Sequence, residues 1–256
     1  MILKDEVAIV TGGNAGIGKA TARRLGMEGA KVAICGRNES TLESAVRELK
    51  GEGIEAFHRR CDAADARQVG DFVSSVAERF DRIDVLVNNA GISGLTPLRD
   101  PDDGVWSSII ETNLSGPYYF LSRVLPHMPE GGRVINVSSV LGRFGVPGYA
   151  AYCTSKHGII GLTRVAALEL ADRRITVNAV CPGWVETDLA RQGMERGAAG
   201  MNVTYEEFRE KALRRVPLKE IIEPEEVAAL ILFLASPEAR NITGQTYNLC
   251  GGQVMN

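Results

Sequence analysis

The chain has 256 residues, of which 45% are hydrophobic, and a formal net charge of −3 at neutral pH. This length and apolar content are enough for one substantial core. The slight acidic excess, with no basic run to offset it, argues against a nucleic-acid or anionic-membrane partner. Neither a signal segment nor an apolar run of about 18 residues is present. We therefore expect one cytoplasmic domain over residues 1–256, outside any membrane.

The cysteines and histidines give no indication of a metal centre. The five cysteines form no C-x-x-C pair, and the three histidines are scattered singly. Thiols in or beside apolar strands are typical of packed core residues in a reducing cytosol. Cys153 could be accessible because it adjoins Tyr152, although a packed helix position is favoured. We expect no metal site.

The first predicted element is a strand, Val7–Val10, followed by the glycine-rich turn TGGNAGIG and a helical pattern. In this context the glycines let the backbone approach a pyrophosphate, and the N-terminus of the helix attracts its charge. A glycine-rich turn without a ligand is the alternative interpretation. The candidate cofactor-binding residues of this turn are Gly12, Asn14, Gly16, Ile17 and Gly18.

Six further predicted strands alternate with helical patterns along the chain. Strands separated by helices imply right-handed crossovers and parallel pairing. The predicted fold is therefore α/β: a single-domain, doubly wound, mostly parallel sheet of Rossmann type with helices on both faces. The six strands are Lys31–Cys35, Ala56–Arg60, Val85–Asn88, Arg133–Ser138, Thr176–Cys181 and Gln245–Leu249.

The end of the second strand indicates which dinucleotide is bound. The acidic residue that hydrogen-bonds the ribose in NAD-dependent Rossmann folds is replaced by Gly36, and Arg37 follows it. An arginine offers a planar cationic fork suited to a 2′-phosphate. We therefore predict NADP(H). A solvated loop arginine is the alternative, and no lysine or arginine lies between Thr11 and Gly18, so the strictness of the preference stays open.

Ser139, Tyr152 and Lys156 form the candidate catalytic group. Tyr152 and Lys156 are four residues apart, so on a helix both project from one face. A neighbouring ammonium favours the phenolate, which makes a tyrosine usable as a general acid or base near neutral pH. Ser138 is the rival of Ser139, but the thirteen-residue spacing to Tyr152 favours Ser139.

Together these motifs resemble the short-chain dehydrogenase/reductase family over about Leu3 to Gly252. The resemblance rests on motifs in the family's order: TGGNAGIG, Asp62, NNAG at residues 88–91, Asn113 in TNLSG, the Ser139–Tyr152–Lys156 set, and PGWVET at residues 182–187. It implies that the cofactor-binding residues also include Asp62, Asn89, Ala90, Gly91, Tyr152, Lys156, Pro182, Gly183, Val185 and Thr187.

The resemblance also implies individual roles. Asp62 would read the adenine, and a second interpretation, compatible with that role, is that it caps a helix starting near Ala64. Asn88 would tie neighbouring strands together, and Thr187 would fix the nicotinamide carboxamide. Asn113 would be the fourth catalytic residue: it would kink its helix and hold a water that links Lys156 to solvent and refills the proton supply. An ordinary helix amide is the alternative.

In catalysis, the resemblance implies that Ser139 and Tyr152 bind the carbonyl oxygen and that Tyr152 donates the proton. Lys156 would lower the pKa of Tyr152 and hold the nicotinamide ribose.

The segment at about 188–222 is predicted to be a substrate lid, with a surface helical hairpin as the alternative. The whole pattern looks most like the 3-oxoacyl thioester reductases and polyketide ketoreductases, so we expect an NADP(H)-dependent enzyme that interconverts a ketone and a secondary alcohol. Arg173 matches a residue used for carrier-protein docking, but Glu130 fills the second basic position and puts such docking in doubt. A CoA ester, an unrelated secondary alcohol or a sugar as substrate, and a non-catalytic dinucleotide-binding scaffold, are the alternatives.

The helix that opens at Glu223-Pro224 is apolar on all sides beyond its first turn. Because the parent sheet can cover only one side, we expect the same helix of a neighbouring subunit to cover the other. The resemblance extends this contact to a homotetramer. Burial under the C-terminal tail is the alternative.

Overall fold

Seven strands form one sheet in the order β3-β2-β1-β4-β5-β6-β7, and every pair of neighbours is parallel. This computed structural model describes residues 1–255. Each predicted strand is confirmed to within one residue at its ends. The strands are β1 (Val7–Thr11), β2 (Lys31–Gly36), β3 (Ala56–Arg60), β4 (Val85–Asn88), β5 (Arg133–Val137), β6 (Thr176–Pro182) and β7 (Thr246–Leu249).

Helices connect the strands and cover both faces of the sheet. Several begin at a residue whose side chain accepts hydrogen bonds from the first turn, as Asn38, Asp65 and Thr204 do. The helices are α1 (Gly16–Met27), α2 (Glu39–Gly51), α3 (Ala66–Phe80), α4 (Asp103–Ile110), α5 (Gly116–Val124), α6 (Ala150–Glu169), α7 (Asp188–Met201), α8 (Tyr205–Leu213) and α9 (Pro224–Ala235).

Two apolar layers lie on opposite faces of the sheet. Alternate residues of β1 belong to different layers. Ala8 and Val10 pack with α1, α2 and α9 on one face. Val7 and Ile9 pack with α3, α5 and α6 on the other face. This alternation is what a strand buried on both faces requires. The predicted single-domain, doubly wound fold is confirmed.

The connections reverse direction between β1 and β4, which opens a crevice at the carboxyl ends of these two strands. Polar side chains hold its sides together. The Thr11 hydroxyl accepts from the backbone N–H groups of Asn89 and Ala90, each at 2.9 Å, and the Asn89 amide donates to the Thr11 carbonyl at 2.9 Å. The Asn88 amide donates to the Asn136 amide oxygen at 2.9 Å, which confirms that Asn88 ties β4 to β5.

The predicted lid segment consists of the helices α7 and α8, joined by a short turn. They pack tightly, because a Cβ at Gly197 would lie 2.2 Å from the Phe208 ring. Thr204 and Glu207 cap the start of α8 reciprocally. The segment thus contains a helical hairpin, and residues of both helices line a cavity described below. Its closure over a substrate stays a prediction.

Helix α9 begins at Pro224 as predicted, but the expectation that the sheet alone covers it is wrong. Helix α1 packs along α9, so most of its apolar residues are buried within one chain. The apolar side chains left exposed include Phe233, which is 39% exposed, and the small Ala229. A neighbouring subunit is thus not required to bury this helix.

A substitution at Gly18 tests how closely α1 approaches β1. A Cβ at Gly18 would lie 2.2 Å from the Gly12 carbonyl oxygen. We expect Gly18→Ala to lower the free energy of unfolding by about 1–3 kcal/mol, because the turn must shift. Gly51→Ala is the matched control: it also lies in a helix, but its Cβ meets no atom within 4 Å, and its effect should be neutral or stabilising by up to about 1 kcal/mol. Urea denaturation of both variants measures the difference, and equal stabilities would contradict the packing argument.

Candidate active site

The crevice between β1 and β4 holds a cavity of about 510 Å³. Its shape depends on glycines. Gly12 has a φ of 64° and Gly16 a φ of 48°, a backbone region that favours glycine. Most of the predicted cofactor-binding residues line this cavity: Gly12, Asn14, Gly16, Ile17, Arg37, Asp62, Asn89, Ala90, Gly91 and Thr187.

The N-terminus of α1 points its free backbone N–H groups toward this cavity. Its cap residue, Ala15, provides no side-chain hydrogen bond, and the first turn contains no acidic residue. The caps of α2 and α3, in contrast, use a side chain. Uncapped N–H groups at a helix N-terminus are a site for phosphate. The residues present therefore fit a dinucleotide pyrophosphate.

Gly18 is the predicted binding residue that does not line either cavity. It lies beneath the turn, where its missing side chain leaves room for the Gly12 carbonyl and the Asn89 amide. Its role is to let α1 pack against the turn.

The part of the cavity beside the end of β2 has little room for a side chain at position 36 unless Asn14 moves. A Cβ at Gly36 would lie 2.7 Å from the Asn14 amide oxygen, and the Asn14 amide donates to the Thr41 hydroxyl at 3.0 Å. Arg37 is exposed beside this position. Arg60, which the sequence interpretation missed, donates from Nε to the Arg37 carbonyl at 3.1 Å. Arg37 therefore lines the cavity, and Arg60 lies next to it.

Asp62 lies in the cavity but does not cap a helix. Its carboxylate accepts from the Ala64 N–H at 3.0 Å, whereas α3 begins at Ala66 and is capped by Asp65. The alternative of Asp62 as the cap is wrong, because the helix starts two residues later than predicted.

A second cavity, of about 340 Å³, adjoins the first. The two cavities share lining residues, among them Gly91 and Thr187. Ser139 follows β5, and Tyr152 and Lys156 project from one face of α6, so all three side chains reach this second cavity. Pro182, Gly183 and Val185 also line it, at and after the end of β6.

Burial dominates the acid–base properties of this group. It raises the pKa of Tyr152 to about 12, against a hydrogen bond with Ser139 that lowers it. Burial also lowers the pKa of Lys156 to about 8. The Lys156 ammonium donates to the Val137 carbonyl at 2.9 Å and lies 5.6 Å from the centre of the Tyr152 ring. Desolvation is the largest effect on Tyr152 in this structure, so the pKa of its phenol lies above the ordinary value. The lowering of this pKa by Lys156 stays a prediction.

Asn113 lies in a π-helical turn, Glu111–Ser115, that joins α4 to α5. The predicted kink is thus confirmed. The Asn113 amide accepts from the Ile92 N–H at 2.8 Å, donates to the Ile92 carbonyl at 2.9 Å, and contacts the Ser155 hydroxyl at 3.3 Å. These bonds fix the chain after β4 against α6, directly beside the catalytic group.

Ser138 has a structural role, as the favoured interpretation predicted. Its hydroxyl donates to the Lys156 carbonyl at 2.8 Å and is buried. Both serines line the second cavity. The Ser139 hydroxyl is the one that hydrogen-bonds Tyr152, and it also accepts from the Leu141 N–H at 3.1 Å.

The cysteines other than Cys153 are buried, which confirms that they are core residues. Burial raises the pKa of Cys35 and Cys181. Among residues 1–255, one cluster has the donor types of a metal site: the exposed Glu39 and Glu43 with His58. His58 already lies 3.2 Å from the Glu39 carboxylate, and exposed acidic groups of this kind are common without a metal.

The two positions associated with carrier docking are occupied by internal contacts. Arg173 donates to the carbonyls of Leu125 and Met128. Glu130 lies 3.3 Å from the Arg174 guanidinium. Arg173 is thus engaged by backbone carbonyls, and position 130 carries an anion. No helix in the described part of the chain is long and apolar enough to span a membrane.

This fold and site define a dinucleotide-dependent oxidoreductase with a serine–tyrosine–lysine group. The family model described as "Enoyl-(Acyl carrier protein) reductase" matches residues 12–253, and the chain belongs to this family within the short-chain dehydrogenases/reductases.

Similar proteins agree with this assignment. The chain is 38% identical to a 3-oxoacyl-[acyl-carrier-protein] reductase of Staphylococcus epidermidis, over 98% of this chain and 100% of that protein. A crystal structure of a variant actinorhodin polyketide ketoreductase with NADPH is 41% identical over 97% of both chains, with a TM-score of 0.94. A metagenomic blue fluorescent protein crystallised with NADPH is 32% identical over 100% of both chains, with a TM-score of 0.91.

The burial of Lys156 predicts a cost in stability. Because its folded-state pKa of about 8 lies below the ordinary 10.5, the unfolded chain binds more protons between these values, and stability rises with pH across that window. We expect Lys156→Met to raise the free energy of unfolding at pH 7 by about 1–3 kcal/mol. This net gain already includes the loss of the hydrogen bond to the Val137 carbonyl. The gain should fade between about pH 8 and pH 10.5. Denaturation of the cofactor-free protein across this range is the measurement, and a pH-independent effect would contradict the argument.

Proposed function

We propose that this protein is an NADP(H)-dependent reductase of 3-oxoacyl thioesters or related polyketide-type ketones. The observation that carries the proposal is the position of the Ser139–Tyr152–Lys156 group. It lies in an apolar cavity that shares a wall with the dinucleotide crevice. A ketone in the second cavity would therefore meet the hydroxyls of Ser139 and Tyr152 next to the cofactor.

NADPH supplies the hydride when it is bound. The Ser139 and Tyr152 hydroxyls would donate hydrogen bonds to the carbonyl oxygen, where negative charge develops during reduction. Tyr152 would then transfer its proton to that oxygen. The high pKa of Tyr152 keeps the phenol protonated at neutral pH, as a proton donor requires. Lys156 would provide a positive charge beside the phenolate that is formed.

The residues that support cofactor binding fall into two groups. The turn after β1 and the uncapped start of α1 would hold the pyrophosphate, and Arg37 would bind the 2′-phosphate. The chain after β4, from Asn89 to Gly91, and Thr187 would lie against the nicotinamide end. No carboxylate occupies position 36 to repel the additional phosphate.

Two alternatives differ in what they predict. An enzyme that reduces a different ketone to a secondary alcohol, or that reduces a sugar, would use the same catalytic group. It would bind a different substrate in the second cavity. A non-catalytic scaffold would bind NADPH without oxidising it. Because the catalytic group is complete, a non-catalytic scaffold is the less favoured alternative. Measuring NADPH oxidation with a panel of ketones distinguishes the proposed function from both alternatives.

Tyr152→Phe tests the catalytic assignment. The variant lacks the proton donor but keeps the ring that packs near Lys156, so we expect kcat for S-acetoacetyl-N-acetylcysteamine to fall at least about 100-fold. The dissociation constant for NADPH should stay within about twofold of the wild type. Tyr149→Phe, at another phenol lining the cavity, is the control and should retain most activity. A Tyr152→Phe variant with near wild-type kcat would refute the assignment.

Arg37→Ala tests the choice of cofactor. A charge-assisted contact to the 2′-phosphate would be lost, so NADPH affinity should weaken by about 1.5–3 kcal/mol while NADH affinity changes little. Fluorescence titration with both cofactors measures this. Equal losses for NADPH and NADH would show that Arg37 does not bind the 2′-phosphate.

We also propose a homotetramer in the cytoplasm. Large apolar side chains are exposed on α5 and α6: Tyr118 is 56% exposed, Val165 53% and Leu168 82%. Phe233 adds a smaller exposed surface on α9. Apolar surface of this kind is typical of subunit contacts.

Light scattering with Leu168→Glu tests the assembly. We expect a tetrameric mass for the wild type at micromolar concentration and a smaller assembly for the variant, because a charge would be buried at the contact. Leu98→Glu, on another side chain that is 86% exposed but outside α5, α6 and α9, is the control. A monomeric wild type would contradict the proposal.

A further inference from the structure

The charged residues that line the second cavity all have the same sign. They are Lys156, Lys211 and Arg215, and no described acidic residue lines it. This contrasts with the chain as a whole, which carries a net charge of −3. Lys156 belongs to the catalytic group, whereas Lys211 and Arg215 have no part in the function described so far.

Lys211 and Arg215 lie at the outer end of the cavity. Both are exposed, whereas Lys156 is 5% exposed at the inner end. Lys211 lies in the last turn of α8 and Arg215 two residues past its end, and both line the same cavity. A substrate with its ketone at Tyr152 would extend past the apolar wall toward these two cations.

The two cations are free to bind an anion. Neither makes an ion pair with any residue in the described range. The Lys211 ammonium contacts only the Met201 sulfur, at 3.7 Å, which is a weak acceptor. Arg214, which lies between them and does not line the cavity, pairs with Glu210 at 2.7 Å.

We propose that Lys211 and Arg215 form a binding site for the phosphate of a pantetheine-type thioester carrier, at the mouth of the substrate cavity. This inference rests on the proposed function. Arg173 is engaged by the backbone carbonyls of Leu125 and Met128, and position 130 carries a glutamate. These two positions therefore offer less to a phosphate than the two cations at the mouth of the cavity. The phosphate could belong to coenzyme A or to a carrier-bound pantetheine arm.

The test compares wild type with Lys211→Gln/Arg215→Gln on three acetoacetyl thioesters at saturating NADPH. S-acetoacetyl-N-acetylcysteamine carries no phosphate, acetoacetyl-4′-phosphopantetheine carries the phosphate common to both sources, and acetoacetyl-CoA adds the nucleotide phosphates. We expect KM to rise about tenfold for the two phosphate-bearing thioesters, since exposed charge pairs contribute modestly. KM for the uncharged thioester, and kcat for all three, should not change.

Arg214→Ala is the matched control and should leave all three KM values unchanged. A rise for acetoacetyl-CoA alone would assign the site to the nucleotide phosphates of coenzyme A. An equal rise for all three thioesters, or no rise, would overturn the inference. Unchanged NADPH affinity shows that the double variant is folded; if it is not, Arg215→Gln alone should raise the same two KM values about threefold.

The wild-type protein in the same experiment shows whether the proposed function itself fails. If the wild type reduces none of the three thioesters, the proposed function is wrong. The inference is then decided by titrating coenzyme A into NADP⁺-saturated protein. Wild type should bind it about tenfold more tightly than the double variant, and equal affinities would overturn the inference.

Discussion

The reversal of strand order between β1 and β4 is the constraint on which the rest of the structure depends. A parallel sheet brings the carboxyl ends of its strands to one edge, and the reversal leaves a crevice there. Hydrogen bonds between Thr11 and the chain after β4 hold the two sides of this crevice together. Gly18 lets α1 approach closely enough to direct its free N–H groups into the crevice. The cofactor site is thus a direct result of the topology.

The catalytic group depends on a second constraint, the burial of a lysine and a tyrosine in one place. Burial disfavours the charged forms of both side chains, so it raises one pKa and lowers the other. The Lys156 ammonium is held by one carbonyl, that of Val137, and by the face of the Tyr152 ring. Such an arrangement costs stability, which is typical of a functional site. It keeps Tyr152 protonated with a positive charge nearby.

Much of the fold and site could be predicted from local sequence patterns. The strands are short apolar runs bounded by turns, and the glycine turn, Tyr152 and Lys156 act through spacing within one element. The rest depends on where distant segments meet. The covering of α9 by α1 is a tertiary contact, and the pKa of Tyr152 depends on burial that no single motif reveals. The start of α8 had a local signal, the Thr204–Glu207 capping pair, which the prediction of a lid over this segment did not use. Arg60 was missed because it meets Arg37 only through strand pairing.

Tracing the hydride tests the central claim most directly. The protein would be incubated with S-acetoacetyl-N-acetylcysteamine and NADPH that carries deuterium at both positions of the reactive ring carbon. Mass spectrometry of the product then locates the label. The account predicts one deuterium on the carbon that bears the new hydroxyl group. NADPH that stays unoxidised, or a product with deuterium at any other carbon, would contradict it.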